Sequence, residues 1–127
     1  FQLGYLFHRF DWTERAQTMA ETLHPLLMKY PTSFGYWANI FLQHSPQHSD
    51  ISVIGSEAKK FIRSFYNKKY VSAVTYTAVN TNEENIEELR GKYAEGETRI
   101  YICKNQHCLS PFTSTEEAMT VIYPEKF

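Results

Sequence analysis

The sequence predicts an α/β protein: a helical hairpin followed by a small three-stranded, mostly parallel βαβαβα sheet unit. Three observations carry this. Apolar residues fall at helical spacing up to Leu42. A polar break, SPQHSD at Ser45 to Asp50, then separates that region from one of different texture. Beyond the break, β-branched runs alternate with helical stripes, the pattern of βαβ units.

The first ten residues, FQLGYLFHRF, place Leu3, Leu6, Phe7 and Phe10 at helical spacing and read as the end of an amphipathic helix. They lack the long apolar centre and small-residue cleavage site of a signal peptide, and they suggest that further sequence lies upstream. Asp11 and Glu14 resemble a capping box. Trp12, Ala16, Met19, Leu23, Leu26, Leu27 and Tyr30 then form one apolar stripe. Pro25 removes a backbone hydrogen bond and predicts a kink near Thr22 to His24. Tyr30-Pro31 ends that helix, and Thr32 or Ser33 can cap the next, which carries Phe34, Trp37, Ala38, Phe41 and Leu42. The short link folds the two helices antiparallel.

After the break, Ile51 to Ile54 is a strand that ends at Gly55, with Ser56 as a helix cap. Ala58, Phe61, Ile62, Phe65 and Tyr66 give a helical stripe. Val71 to Val79 is a second strand, and Asn80 to Glu83 is a turn with a cap. Ile86, Leu89 and Tyr93 mark a short helix, and Arg99 to Cys103 a third strand. Ser114 or Thr115 caps a last helix with Ala118, Met119 and Ile122. The expected organisation is a hairpin over residues 1–45 and an α/β unit over 46–127. The hairpin is expected to cover one sheet face, so the two pack as one unit.

Composition narrows the function classes. The 127 residues are 43% hydrophobic and 16% aromatic, which suits a packed globule. The formal net charge is −1, so bulk charge gives no case for a nucleic acid or an anionic membrane as partner. No apolar run approaches the roughly 20 residues that span a bilayer. Two cysteines are too few for a disulfide-stapled secreted fold, and a cytoplasmic protein is expected. No cofactor is expected.

Cys103 and Cys108 stand out. With parallel strands, Cys103 lies near the carboxyl end of the third strand, where α/β sheets bind ligands. Three readings stay open: a redox pair, a metal site formed with His107, or one buried structural cysteine and one loop cysteine. The redox pair requires Cα atoms within about 7 Å. The metal site lacks the usual zinc spacings. Gly55 and Ser56 open a helix after a strand, where free amides can hold an anion, and Asn80 with Thr81 forms a similar turn. Neither belongs to a phosphate-binding motif, so both read first as turns with caps. His8, His24, His44, His48 and His107 form no ligand pair, and His44 and His48 read as solvated. No GxSxG elbow marks a nucleophile. Glu83, Glu84, Glu87 and Glu88 read as a solvated acidic face. Lys59, Lys60, Arg63, Lys68 and Lys69 make a modest basic patch, but Phe61, Phe65 and Tyr66 among them suit a core face better than base stacking.

One stretch is recognisable. Tyr101, Cys103, Cys108, Pro111, Thr113, Glu116 and Glu117 lie within TRIYICKNQHCLSPFTSTEEAM, after SDISVIG and VSAVTYTAV. This order resembles the carboxyl-terminal end of the YyaL type of thioredoxin-domain-containing proteins, whose animal members are called spermatogenesis-associated proteins. The resemblance runs from about Phe1 to Ile122. It implies an upstream thioredoxin-like domain and an (α/α) barrel of the six-hairpin glycosidase type, with the present hairpin as the barrel's tail. The family's Cys-x-x-Cys motif is not in this chain, so neither a thiol active site nor a sugar site carries over. The resemblance implies an accessory domain with a structural or interaction role, its partners being the upstream domains of the same parent chain. The alternatives are a thiol-redox contribution from Cys103 and Cys108, or help in closing a carbohydrate-type cleft of the barrel. The apolar first helix also predicts self-association.

Overall fold

The computed structural model describes residues 1–45, 47–68, 74–105 and 107–122. The predicted strand residues Val71, Ser72 and Ala73, and Lys69 of the basic patch, lie outside them.

The chain opens with α1 (Gln2–Leu6). His8 then takes a left-handed backbone conformation, φ 50°, which turns the chain into α2 (Phe10–Lys29). The expected capping box is not used. Arg9 occupies the cap position, and its guanidinium grips Asp11 at 2.9 and 2.7 Å, taking the carboxylate that the helix start would need. Gly4 is buried because α1 lies close on the start of α2; a β-carbon there would meet Thr13 Cγ2 at 2.8 Å. α2 continues through Pro25 to Lys29. α3 (Pro31–Gln43) follows after Tyr30 alone, with Pro31 in its first turn, where the missing N–H has no helical partner to lose. Tyr30 therefore takes the cap position expected of Thr32 or Ser33.

The α/β class and the order of hairpin then sheet stand as expected. The sheet differs in detail. It has four strands in the order β2-β1-β3-β4: β1 (Ser49–Ile54), β2 (Val74–Val79), β3 (Arg99–Lys104) and β4 (His107–Cys108). Only β1 and β2 are parallel, joined through α4 (Ala58–Lys68). β3 runs antiparallel to β1 and to β4. The reason lies in the segment after β2. In place of the expected helix it holds one 3-10 turn, Glu87–Leu89, stopped by Gly91 at φ 69°. Without a crossover helix to carry the chain back, β3 returns in the opposite direction.

Paired residues share a face, so the register sorts the sheet into two sides. One side carries Ile51, Val53, Ile100, Ile102, Val74 and Tyr76. It packs on Ala58 and Phe65 of α4 and on Ala118 and Met119 of α5 (Thr115–Ile122) to form the core. The other side carries Asp50, Ser52, Thr75, Thr77, Tyr101 and Cys103. α1 and the segment around Leu89, which is fully buried, lie over it. Of residues 1–45, α1 is thus the part against this face, and Ala20 is the buried residue of α2 and α3.

Candidate functional site

The polar face of the sheet gathers most of the chemically able side chains. Strand alternation sets it up: Asp50 and Ser52 point opposite to Ile51 and Val53. In register, Asp50 sits between Thr75 of β2 and Cys103 of β3. Cys103 in turn faces Cys108 of β4 across a tight reversal that Asn105, at φ 49°, allows. The two cysteines form a disulfide, with Cα atoms 3.9 Å apart. Neither sulfur is free. Their surroundings differ sharply, since Cys103 is 0% exposed while Cys108 is exposed to solvent.

Beside the disulfide lies a buried ion pair. Glu88 is 5% exposed, against the expectation of a solvated acidic face. The 3-10 turn points it inward, and Lys92, four residues on, meets it with Nζ 2.6 Å from Oε1. The same Nζ lies 3.8 Å from Cys103 Sγ and 5.5 Å from the centre of the Tyr101 ring. The Tyr101 hydroxyl donates to the Lys92 carbonyl at 3.0 Å, which fixes the lysine backbone. His8 Nε2 approaches the other Glu88 oxygen at 3.3 Å. One carboxylate oxygen and the two sulfurs all fall within 4.8 Å of one another. A carboxylate so enclosed is tolerable only because a cation and polar groups surround it.

The polar cluster continues away from the disulfide. His48 Nε2 lies 3.1 Å from Asp50 Oδ1 and 3.1 Å from Thr75 Oγ1. His48 is thus nearly enclosed, with a side chain 10% exposed, where a solvated loop histidine was expected. Tyr5 of α1 brings its hydroxyl among the Asp50 and Glu88 carboxylates. Burial, and then the two negative charges, push its pKa well above the ordinary tyrosine value. A cleft of about 600 Å³ opens beside these groups, lined by Tyr5, His8, His48, Asp50, Thr75 and Thr77. A phenol with a raised pKa holds its proton more tightly in the folded chain than in the unfolded one. Its stabilising contribution is therefore complete below the unfolded pKa of about 10 and is lost as pH climbs past it. Urea midpoints measured from pH 8 to 11 should fall less steeply in Tyr5→Phe than in the wild type. Identical pH profiles would show that Tyr5 does not titrate as this environment requires.

The other predicted site residues lie elsewhere. Because β3 is antiparallel to β1, Cys103 is at the amino end of β1, whereas Gly55 and Ser56 follow its carboxyl end. Asn80 follows the carboxyl end of β2, so it too lies at the far end from the disulfide. The expected place of Cys103, at the edge where parallel strands gather their carboxyl ends, is thereby overturned. Nor is the Gly55-Ser56 turn a free anion site. The Glu57 amide donates to Thr98 Oγ1 at 3.1 Å, so Thr98 takes the capping role expected of Ser56, which is exposed. Asn80 is an exposed bend with no regular helix after it to cap. His107 pairs with Lys104, so strand alternation puts its side chain on the opposite side of the β3–β4 ribbon from the sulfurs. The metal set of His107 with both thiols is not assembled. Phe65 and Phe61 of the basic-patch helix belong to the core, and Lys60 is paired with Glu57 at 2.7 Å. Three site residues escaped the sequence reading, Tyr5, Asp50 and Lys92, and a fourth, Glu88, reads there as solvated but is buried. The signals were there, in the alternation of Asp50-Ile51-Ser52-Val53 and in the four-residue spacing of Glu88 and Lys92.

Comparison with known protein families, with curated proteins and with solved structures gives no match. Among the described residues, no helix is long and apolar enough to cross a membrane.

Proposed function

We propose that this chain is an accessory α/β domain of a larger protein of the YyaL type, docking through its helical hairpin onto upstream helices of the same parent chain. The observation that supports this most directly is the outer face of α2. Trp12, Met19 and Leu26 recur every seven residues, which keeps them on one side of a helix, and they are 42%, 50% and 41% exposed. Leu3, Phe10, Met28 and Tyr36 add to the exposed apolar surface. A seven-residue apolar seam is what a helix presents to a neighbouring helix, and an (α/α) barrel would supply one. The role is structural: the domain covers apolar surface of the barrel and gains cover for its own.

Light scattering on this chain at rising concentration tests the seam. Self-association is expected, and a combined Trp12→Gln, Met19→Gln and Leu26→Gln variant should stay monomeric with little change in thermal midpoint. A wild-type chain that remains monomeric at high concentration would remove the main support. In the parent protein, deletion of residues 50–127 should cause misassembly or loss of stability. A parent that stays folded and fully active without them would overturn the reading.

A second reading, thiol–disulfide exchange at Cys103 and Cys108, is favoured by the Lys92–Glu88 pair set against the sulfurs.

A further inference from the structure

We propose that the Cys103–Cys108 disulfide is an exchange centre for a partner dithiol, in which Cys108 is the sulfur attacked, Lys92 holds the departing electron pair on Cys103, and Glu88 opposes it. The proposal rests on the exchange reading and assigns the roles within it.

The assignment follows from access and charge. A thiolate must approach a disulfide sulfur along the S–S axis, and only one of the two sulfurs here belongs to an exposed residue, Cys108. Cys103 is enclosed, so it is the leaving sulfur. Attack by the partner's thiolate forms a bond to Cys108 Sγ and breaks the Cys103–Cys108 bond, whose electron pair stays on Cys103 Sγ. That negative charge appears 3.8 Å from the Lys92 ammonium, in a setting where water screens little. The partner's second thiol then loses its proton and attacks its own sulfur in the mixed disulfide, releasing Cys108 as a thiolate. Cys103 and Cys108 each take up one proton. The balance is two electrons and two protons moved from the partner dithiol, which leaves as a disulfide, to this chain, which becomes a dithiol.

Glu88 acts on the same sulfur with opposite sign. Its carboxylate lies within 4.8 Å of both sulfurs and raises the cost of a thiolate there, while its contact with Lys92 Nζ at 2.6 Å fixes where the ammonium sits. Other titratable neighbours are Asp50 from β1, beside Cys103 in the register; Tyr101 from β3; Tyr5 from α1, between Asp50 and Glu88; and His8 just after α1, against Glu88. Lys104 and His107 sit on the far side of the ribbon.

This arrangement makes a prediction that a purely structural ion pair does not. Removing Lys92 and removing the Glu88 charge should shift the Cys103 thiol in opposite directions. The rate of reduction by dithiothreitol is measured across pH, and the equilibrium with glutathione is read by intact mass after alkylation. In Lys92→Met, the Cys103 thiol should titrate at higher pH and the equilibrium should shift about tenfold toward the disulfide, about 30 mV for a two-electron couple. Lys92→Arg, which keeps the charge, should restore wild-type behaviour. Glu88→Gln should titrate at lower pH and be reduced faster. Shifts of the same sign in Lys92→Met and Glu88→Gln, or none, would overturn the role assignment while leaving exchange itself standing. If Glu88→Gln does not fold, the Lys92→Met and Lys92→Arg pair decides alone. A native wild-type disulfide that dithiothreitol reduces only after denaturation would overturn exchange altogether.

Discussion

Replacing Gly55 with valine should destabilise this protein by at least about 3 kcal/mol, a large part of the roughly 5–15 kcal/mol that holds a domain of this size together. Gly55 sits at the end of β1 with φ 134°, a conformation that side chains rarely adopt. A β-carbon there would lie 2.6 Å from the Glu97 carbonyl oxygen and 2.7 Å from the Thr98 Cα. Both obstacles are backbone, so no rotamer change relieves the clash. Thr98 also caps α4 through the Glu57 amide and leads directly into β3. Moving it disturbs the crossover helix and a central strand pairing together. Gly91 is the natural control, since it has positive φ but open space around it, and Gly91→Ala should cost about 1 kcal/mol. Urea denaturation of both variants reads the difference, and a Gly55→Val midpoint close to the wild type would refute the close approach.

Phe65→Ala carries the second large effect, about 3–5 kcal/mol. Its ring is fully buried between α4 and the apolar face of the sheet, 6.0 Å from the Tyr76 ring. Truncation leaves a cavity bounded by two helices and three strands, which cannot all close on it. Tyr66 is next in sequence but 64% exposed, and Tyr66→Ala should cost no more than about 1 kcal/mol. Thermal midpoints of the two variants test the helix orientation. Equal losses at both positions would mean that α4 is rotated from the face described.

These two neighbours also show what was legible in advance. The stripe of Ala58, Phe61, Ile62, Phe65 and Tyr66 identified α4 and most of its inner face, because helical burial repeats with the helical turn, but Tyr66 falls outside that face at 64% exposed. The alternation in β1 is equally local. Strand direction is not. Val and Ile favour a strand whichever way its neighbour runs, so nothing within Arg99–Lys104 says that β3 lies antiparallel to β1. The deciding feature was the short turn at Glu87–Leu89, where an apolar spacing of Ile86, Leu89 and Tyr93 imitated a helix. That one substitution of a turn for a helix moved Cys103 to the opposite end of the sheet from Gly55 and Asn80. It also turned Glu88 inward. The burial of Glu88 against a half-buried Lys92 was hidden for a further reason: charged residues are exposed by default, and only the sulfurs, the Tyr101 ring and α1 around them make the pair tolerable. The disulfide was admissible from spacing alone, but pairing needed the chain reversal at Asn105.

The strand order has a consequence for how the chain matures. β1 is central, and both of its neighbours are made after it: β2 first, through the α4 crossover, and β3 some twenty residues later still. Contacts between distant positions form late, because the loop between them must be closed first. The hairpin of α2 and α3, built from neighbouring residues, has no such wait. During synthesis it can be complete while Ile51 and Val53 are still without their partners Ile102 and Ile100, and while Asp50 and Ser52 are still in water. The polar face is completed only when β3 docks, and Cys103 stays within reach of thiols in solution until that step.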